Sequence, residues 1–282
     1  MNQTPMAFVK DALSIISGLE KLSRHEKLSG SFGLCAEKLE ANAHYKSLTL
    51  KDGAAEKVKE FFFEPSADKR NFFPKLRSMK NVDYTASGTE TPSIDANLSN
   101  TLKKFFKEEG MLTLSLYCSK LSDQWVELFS SWQNLNFIIL RDFFSEHIFQ
   151  LLEKVLRQES LLKLGVHRDG FGIKGLDLFN RFLEQKQFLS LLFLCNAEDM
   201  KRRIMGEHNL EKFAGSIIKW MHKVQLHDAS FEYLGRVDEN TIQFQKKNLI
   251  VSYIDNGARE ELNEELNEEF MARVEQSEIR FL

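Results

Sequence analysis

The chain has 282 residues and a formal net charge of −3, with 28% charged and 43% hydrophobic residues. This composition is typical of a soluble, folded protein and excludes a disordered chain. The mixed, slightly acidic charge also argues against a nucleic-acid-binding protein, which normally carries a basic stripe. The 24 phenylalanines favour a layered core of helices and strands, and the presence of only four prolines leaves long helices uninterrupted.

Residues 1–45 are predicted to be helical, because apolar residues recur every three or four positions from Phe8 to Leu19 and again before Phe32. Charged residues lie inside the first apolar stretch and no small-residue cleavage site follows, so the pattern is not that of a signal peptide. The longest apolar run, residues 188–195, is shorter than the roughly 20 residues that span a bilayer. We therefore expect no membrane contact and a cytoplasmic or nuclear location.

Between about residues 46 and 232, short apolar strands alternate with helical patterns. The equivalent apolar positions recur every 24 to 34 residues, and periods of this length indicate stacked structural repeats. Because each strand returns to the sheet through a helix, neighbouring strands are predicted to be parallel. The predicted strands are 47–50, 81–84, 112–116, 137–140, 161–166 and 189–194, with equivalent positions at Leu48, Val82, Leu114, Leu140, Leu164 and Leu191.

The repeats predict an α/β fold, namely an irregular leucine-rich-repeat-like solenoid with a curved parallel sheet inside and helices outside. Ser122 and Ser145 each precede an apolar helical pattern and are predicted helix caps, 23 residues apart. Apolar residues from Leu210 through Phe213 and Ile217 to Trp220 are spaced as on a further helix. Proteins of this architecture usually bind other macromolecules, so the periodicity favours a binding function.

The remaining segments are a surface loop at residues 86–93 and a C-terminal region of different character. Residues 241–244 and 249–253 flank Lys246, Lys247 and Asn248, which predicts a β-hairpin. An acidic helix is predicted from Arg259 to about residue 276 and, with the hairpin, is expected to cap the open end of the repeats. Docking of a partner by its single apolar stripe is the alternative. The predicted domains are 1–45, 46–232 and 233–282.

Gly170-Phe171-Gly172-Ile173-Lys174-Gly175 matches the glycine pattern of dinucleotide-binding loops, between a predicted strand and a predicted helix. Three residues separate the strand from the first glycine, and four repeat units precede it that have no place in a dinucleotide-binding half. We interpret the segment as a loop between repeats, with a nucleotide-dependent enzyme as an alternative function.

No other pattern predicts catalysis, a cofactor or a metal. The kinase-like His167-Arg168-Asp169 lacks the asparagine five residues later. None of the seven histidines forms a zinc-binding helical pair. Cys35, Cys118 and Cys195 are too far apart for a metal cluster and too few for a disulfide framework, so reduced thiols are expected.

The N-terminal segment resembles a diverged F-box. A proline opens residues 5–13 with apolar residues at helical spacing, and Leu28, Ser29 and Phe32 match the closing pattern of an apolar residue, serine and an aromatic residue. With the strand–helix units that follow, the whole chain is similar in architecture to the F-box and F-box-associated repeat proteins that are greatly expanded in nematodes. The resemblance implies that the N-terminal helices bind a Skp-type adaptor of cullin ubiquitin ligases, whereas the repeats capture a protein substrate.

Two sets of partner-binding residues follow. If the resemblance holds, adaptor contacts are expected from Pro5, Phe8, Val9, Leu13, Ile16 and Phe32. Since side chains alternate along a strand, the polar residues beside the core leucines should line the concave sheet, where repeat proteins bind partners. These are Thr49, Asp83, Thr113, Ser115, Lys163 and Ser190. The predicted function is a non-enzymatic substrate receptor, and an interaction scaffold without a ligase role is the alternative.

Overall fold

The structure, a computed structural model, describes residues 44–62, 77–86, 93–108, 110–238, 240–255 and 267–282 together with Gly33. Twelve strands and six α-helices within these residues define an α/β fold. None of these helices has the length and apolar character to cross a membrane. The chain forms two compact units, residues 1–137 and 138–282, so the boundary lies inside the predicted repeat region. The predicted three-part division stays a prediction.

The described residues of unit 1 form four strands and two helices, and a fifth strand spans residues of both units. The strands are β1 (His44–Lys51), β2 (Ala54–Phe62), β3 (Arg77–Thr85), β4 (Met111–Tyr117) and the boundary strand β5 (Leu135–Leu140). The helices are α1 (Ala96–Lys107) and α2 (Asp123–Ser130).

The unit 1 sheet has the order β2-β1-β3-β4. β3 pairs in parallel with β1 and with β4, and Val82 is in register with both Leu48 and Leu114. The predicted equivalence of these three positions is confirmed, and all three side chains are fully buried. The expected helix directly after residue 50 is wrong, because the chain turns at Asp52 and Gly53, both with positive φ, into the antiparallel strand β2. A left-handed turn favours a hairpin over a helix.

The helices of unit 1 pack on the face of the sheet that carries these apolar residues. α1 begins at Asp95, whose carboxylate accepts a hydrogen bond from the amide of Leu98. Ser122 precedes α2 as predicted, but its side chain makes no capping hydrogen bond. The rings of Trp125 and Phe129 contact Tyr84 at centroid distances of 4.6 and 5.4 Å. Aromatic packing of this kind fixes α2 against β3.

A buried lysine connects β3 to the end of α1. Lys80 is only 1% exposed, and its ammonium donates hydrogen bonds to the carbonyls of Phe105 at 3.4 Å and Phe106 at 3.2 Å. The last carbonyls of a helix lack intrahelical partners and carry partial negative charge. The lysine therefore satisfies the C-terminus of α1 and balances its dipole.

Unit 2 consists of a parallel part followed by an antiparallel part. The parallel part contains α3 (Glu146–Gln158), β6 (Lys163–Val166), α4 (Gly172–Leu183), β7 (Ser190–Phe193), α5 (Glu198–Met205), a 3-10 helix (Leu210–Phe213) and β8 (Ile217–Trp220). The antiparallel part contains β9 (Glu232–Asp238), β10 (Thr241–Lys246), β11 (Leu249–Ile254), α6 (Asn267–Arg273) and β12 (Gln276–Phe281).

The strands β6, β7 and β8 are parallel and in register at Leu164, Leu191 and Ile218. All three side chains are fully buried, which confirms the predicted core positions at Leu164 and Leu191. Leu140 is also buried, but the hydrogen bond from the His167 amide to its carbonyl places it level with Val166, so its predicted equivalence with Leu164 is wrong by two residues. The Ser145 hydroxyl accepts a hydrogen bond from the amide of Ile148 at the start of α3, as predicted.

An aromatic cluster fixes α4 on the same face of the unit 2 sheet. The Phe179 ring of α4 lies 5.1 Å from that of Phe171 and 5.9 Å from that of Phe193 in β7. Phe193 in turn stacks on Trp220 of β8 at 5.7 Å. These contacts account for part of the high phenylalanine content.

The expected helix over residues 210–220 is wrong. Only Leu210–Phe213 is helical, as a short 3-10 turn, and Ile217 and Trp220 belong to β8. Backbone pairing with β7 decides this, because a four-residue strand gains its hydrogen bonds only from a neighbour.

The C-terminal strands extend the unit 2 sheet in the order β8-β12-β11-β10-β9. The predicted hairpin is confirmed as β10 and β11. The predicted acidic helix ends earlier than expected, at Arg273, and β12 follows it. β12 pairs antiparallel with both β8 and β11, so it satisfies the backbone groups along the edge of the last parallel strand.

A histidine near this hairpin predicts a pH-dependent stability. The buried Tyr253 hydroxyl accepts hydrogen bonds from the amides of Leu226 at 2.8 Å and His227 at 3.2 Å, and lies 2.7 Å from Nδ1 of His227. The hydroxyl hydrogen can bond to Nδ1 only when this nitrogen is unprotonated. The imidazole also stacks on Phe244 at 3.8 Å. Burial lowers the pKa of His227 from 6.5, and nearby Asp228 partly opposes this shift.

Because the folded state binds this proton more weakly, the unfolded state holds more protons between the lowered pKa and 6.5. We expect the free energy of unfolding to fall as the pH drops through this window, as measured by urea unfolding at several pH values. His227→Gln should remove part of this dependence, whereas the control His208→Gln, at an exposed position of the same unit, should retain it. Equal pH dependence in the two variants would contradict the prediction.

Candidate functional site

The predicted polar residues of unit 1 share one face of the sheet, opposite the helices. Register pairs Thr49 with Asp83 and Asp83 with Ser115. The Asp83 carboxylate accepts hydrogen bonds from Asn81 Nδ2 at 2.8 Å and from the Ser47 hydroxyl at 3.4 Å. The Ser115 hydroxyl donates to Asn81 Oδ1 at 3.4 Å, so Asp83 and Ser115 belong to one polar network that crosses two neighbouring parallel strands.

Part of this predicted surface is not exposed to solvent. Thr113 and Ser115 are 5% and 2% exposed, and Ser190 of unit 2 is 9% exposed. Thr49, Asp83 and Lys163 are half-buried, and Lys163 is the register partner of Ser190. The expectation of a solvated face is thus wrong at Thr113, Ser115 and Ser190, whereas partner binding by this set stays a prediction. The adaptor residues Pro5, Phe8, Val9, Leu13, Ile16 and Phe32 lie outside the described residues.

A different surface of unit 2 is formed by the carboxyl ends of its parallel strands. The amide of His167 donates to the carbonyl of Leu140, that of Leu194 to Val166 and that of Met221 to Phe193, all within 2.8–2.9 Å. The ends of β5, β6, β7 and β8 therefore lie side by side. In parallel α/β sheets, this end is where ligands and partners bind most often.

Large apolar side chains are exposed along this row of strand ends. Phe143, Leu194 and Met221 are 58%, 40% and 41% exposed. Each follows a different strand within three residues, so the apolar groups come from β5, β7 and β8. We call the residues Arg141, Phe143, His167, Arg168, Leu194 and Met221 the strand-end surface.

Two arginines place guanidinium groups in the strand-end surface, and Asp142 and Asp169 lie in the same two turns. The guanidinium of Arg168 lies 5.7 Å from the centroid of the Phe143 ring, a cation–π distance. Arg141 Nη1 lies 3.4 Å from Nδ1 of His167. Burial, and then the charges of Arg141 and Arg168, lower the pKa of His167. The imidazole is therefore neutral near pH 7, and its Nδ1 accepts a hydrogen bond from Arg141.

Cys195 lies beside this surface as a protonated thiol. Burial, followed by the neighbouring Asp169, raises the pKa of Cys195 to about 12. Only a thiolate is an effective nucleophile or metal ligand, so the cysteine is inert at neutral pH. Asp169 accepts a hydrogen bond at 2.8 Å from the amide of Ala197, which has a φ of 46°. This bond stabilises the left-handed turn that begins α5.

The glycines of the Gly170–Gly175 loop have local structural roles. Gly170 and Gly172 have φ values of 95° and 58°, which other residues rarely adopt. A Cβ on Gly175 would lie 2.6 Å from Cβ of Phe171, so this position needs glycine to let Phe171 pack against α4. Two buried ring contacts of Phe171, with Phe144 and Phe179, show that this side chain belongs to the core. Turn and packing requirements therefore explain all three glycines.

Among the described residues, no group of histidine, cysteine and acidic side chains could hold a metal ion. The strand-end surface combines an aromatic ring, two arginines and flexible apolar side chains, and these are the residue types enriched in protein interfaces. Two short segments of the sequence could have indicated this surface. They are Arg-Asp-Phe at residues 141–143, after one strand, and His-Arg-Asp at residues 167–169, after the next. Sequence reasoning missed it because the exposure of these residues depends on the sheet.

Comparison of the chain with protein-family models, with curated proteins and with solved structures finds no match.

Proposed function

We propose that the protein is a non-enzymatic protein-binding protein, an irregular leucine-rich-repeat-like solenoid that acts as an F-box-like substrate receptor of a cullin ubiquitin ligase. Two features support a repeat architecture. Core residues occupy equivalent register positions on neighbouring parallel strands in each unit, at Val82 and Leu114 and at Leu164 and Leu191. In each unit, helices also pack on the face that carries these residues, through Tyr84 in one and Phe193 in the other.

The strand-end surface carries the binding function. Single exposed apolar residues are ordinary, but three along one row of strand ends, after β5, β7 and β8, form a larger patch of the kind found at interaction sites. Phe143 and Arg168 offer a rigid ring and a planar cation, and such residues dominate the binding energy of interfaces. The guanidinium of Arg168 beside the exposed ring favours a partner segment that combines acidic and apolar side chains.

Replacement of the two central side chains tests this surface. We expect Phe143→Ser with Arg168→Glu in the full chain to reduce partner retention by about tenfold or more, because it removes the exposed ring and reverses the charge beside it. The matched control is Ile173→Ser with Arg202→Glu, which changes an exposed apolar residue and an exposed arginine elsewhere in unit 2. Quantitative mass spectrometry of proteins co-purified with each variant measures the effect. If both double variants retain the same proteins equally, the surface is not the binding site.

The ligase role requires its own test, because it depends on the N-terminal segment. Deletion of residues 1–40 is expected to abolish co-purification of a Skp-type adaptor, while the partner that depends on Phe143 and Arg168 stays bound. A full-length chain that captures the partner but no adaptor would instead identify an interaction scaffold without ligase function.

A further inference from the structure

A cavity in unit 1 lies between α1 and the turn that leads from α2 to β5. Its volume is about 360 Å³, within the size range of small-molecule sites. The apolar part of its lining comes from both helices, from β4 and from the turn after α2. These residues are Leu102, Phe106, Leu112, Leu128 and Trp132.

The aromatic part of this lining is rigid. The rings of Phe106 and Trp132 lie 4.1 Å apart, and Trp132 also contacts Phe129 at 4.9 Å. Trp132 is only 6% exposed. A preorganised aromatic wall binds a planar or branched apolar group with little loss of side-chain entropy.

The indole nitrogen of Trp132 is a buried hydrogen-bond donor in the wall of the cavity. Nε1 makes no hydrogen bond within the described part of the chain. Buried polar groups are almost always hydrogen-bonded, and an unsatisfied one costs free energy comparable to a lost hydrogen bond. A ligand that carries an acceptor oxygen into the cavity would remove this cost.

The charge of the cavity indicates that this acceptor is an anion. Lys103 and Lys107 are one helical turn apart on α1, so both reach the same side of the helix, and both line the cavity. They are exposed, and neither forms an ion pair among the described residues. The buried ammonium of Lys80 adds a third positive charge to the lining. Among the described residues, no acidic side chain lines the cavity.

We propose that this cavity binds a carboxylate carried on an aromatic or branched apolar group. The carboxylate would be held by Lys103, Lys107 and the indole N–H of Trp132, and the apolar group would lie against the aromatic wall. A free aromatic acid and the C-terminal residue of a peptide chain present this same chemistry. The inference does not depend on the ligase role.

The test is isothermal titration of the full-length protein with 3-phenylpropionate and, separately, with a tetrapeptide that ends in phenylalanine with a free carboxylate. Saturable binding of either compound is expected, and the compound that binds identifies the source. The matching amides should bind about tenfold more weakly or worse, since they lack the negative charge. Inorganic phosphate should bind weakly, because it has no apolar group.

Variants locate the site. Lys103→Met with Lys107→Met should weaken binding about tenfold or more. Lys104→Met is the matched control, because this lysine is exposed on the same helix but does not line the cavity. Trp132→Phe keeps a ring and removes the N–H donor, so it should weaken binding of the carboxylates. Thermal unfolding of each variant verifies that it is folded.

Three results would overturn the proposal. These are the absence of saturable binding of both carboxylates, equal affinity of the Lys103/Lys107 variant and the Lys104 control, and phosphate binding as tight as that of the acids.

Discussion

Truncation of Leu164 to alanine is expected to lower the free energy of unfolding by about 2–5 kcal/mol, the usual cost for a buried leucine. Leu164 is fully buried, and its register partner Leu191 in β7 is fully buried as well. The shortened side chain would leave a cavity beneath α4 and lose apolar burial at the same time. Urea unfolding, followed by far-ultraviolet circular dichroism, measures the loss.

The matched control for this variant is Lys163→Ala. Lys163 precedes Leu164 on the same strand but is half-buried, because successive side chains of a strand point to opposite faces. Its truncation should cost much less than that of Leu164. A loss below about 1 kcal/mol for Leu164→Ala would mean that the proposed register of the repeat core is wrong.

Replacement of Trp125 by alanine should destabilise unit 1 by about 3–5 kcal/mol, the range for buried aromatic residues. Trp125 is fully buried, and its ring lies 4.6 Å from Tyr84 and 5.2 Å from Phe129. Trp125 therefore packs α2 against β3, and it also contacts Phe129 one turn later in α2. Tyr84 beside it is fully buried as well, and this burial raises the pKa of its phenol.

Trp125→Phe, measured in the same unfolding experiment, separates the contribution of aromatic packing to the free energy of unfolding from that of side-chain volume. Phenylalanine keeps a ring against Tyr84 but fills less volume, so its cost should lie clearly below that of alanine. Equal stability of Trp125→Ala and the wild type would show that α2 does not depend on this cluster. The tryptophan fluorescence of Trp132 and Trp220 remains available in both variants to follow unfolding.

Both predictions depend on residues whose burial was predictable from sequence, because local periodicity reveals which side chains face a core. The equivalence of Leu48, Val82 and Leu114 followed from alternation along short strands, and the sheet has them in register. The hairpin of β10 and β11 was also predictable, because its turn residues and both strands are close in sequence.

Pairing between distant segments was not predictable in this way. Residues 210–220 have helical spacing, yet Ile217–Trp220 is a strand because β7 lies beside it. Strand β12 was missed because its partner β8 precedes it by more than fifty residues. Local patterns do not specify such a partner, and the backbone hydrogen bonds it supplies outweigh intrinsic preference.

The residues of the candidate sites were even less predictable from the sequence than the strand pairing, because their exposure depends on the tertiary structure. A lysine in a strand predicts solvent exposure, but Lys80 is buried because its ammonium reaches the carbonyls at the end of α1. Conversely, Phe143 predicts a core position and is exposed at the end of a strand. The sequence by itself determined the α/β class and, through local alternation, the register of the core residues on most of the parallel strands. Only the tertiary structure decided which charged groups are buried and which apolar groups are exposed, because both depend on contacts between residues far apart in the chain.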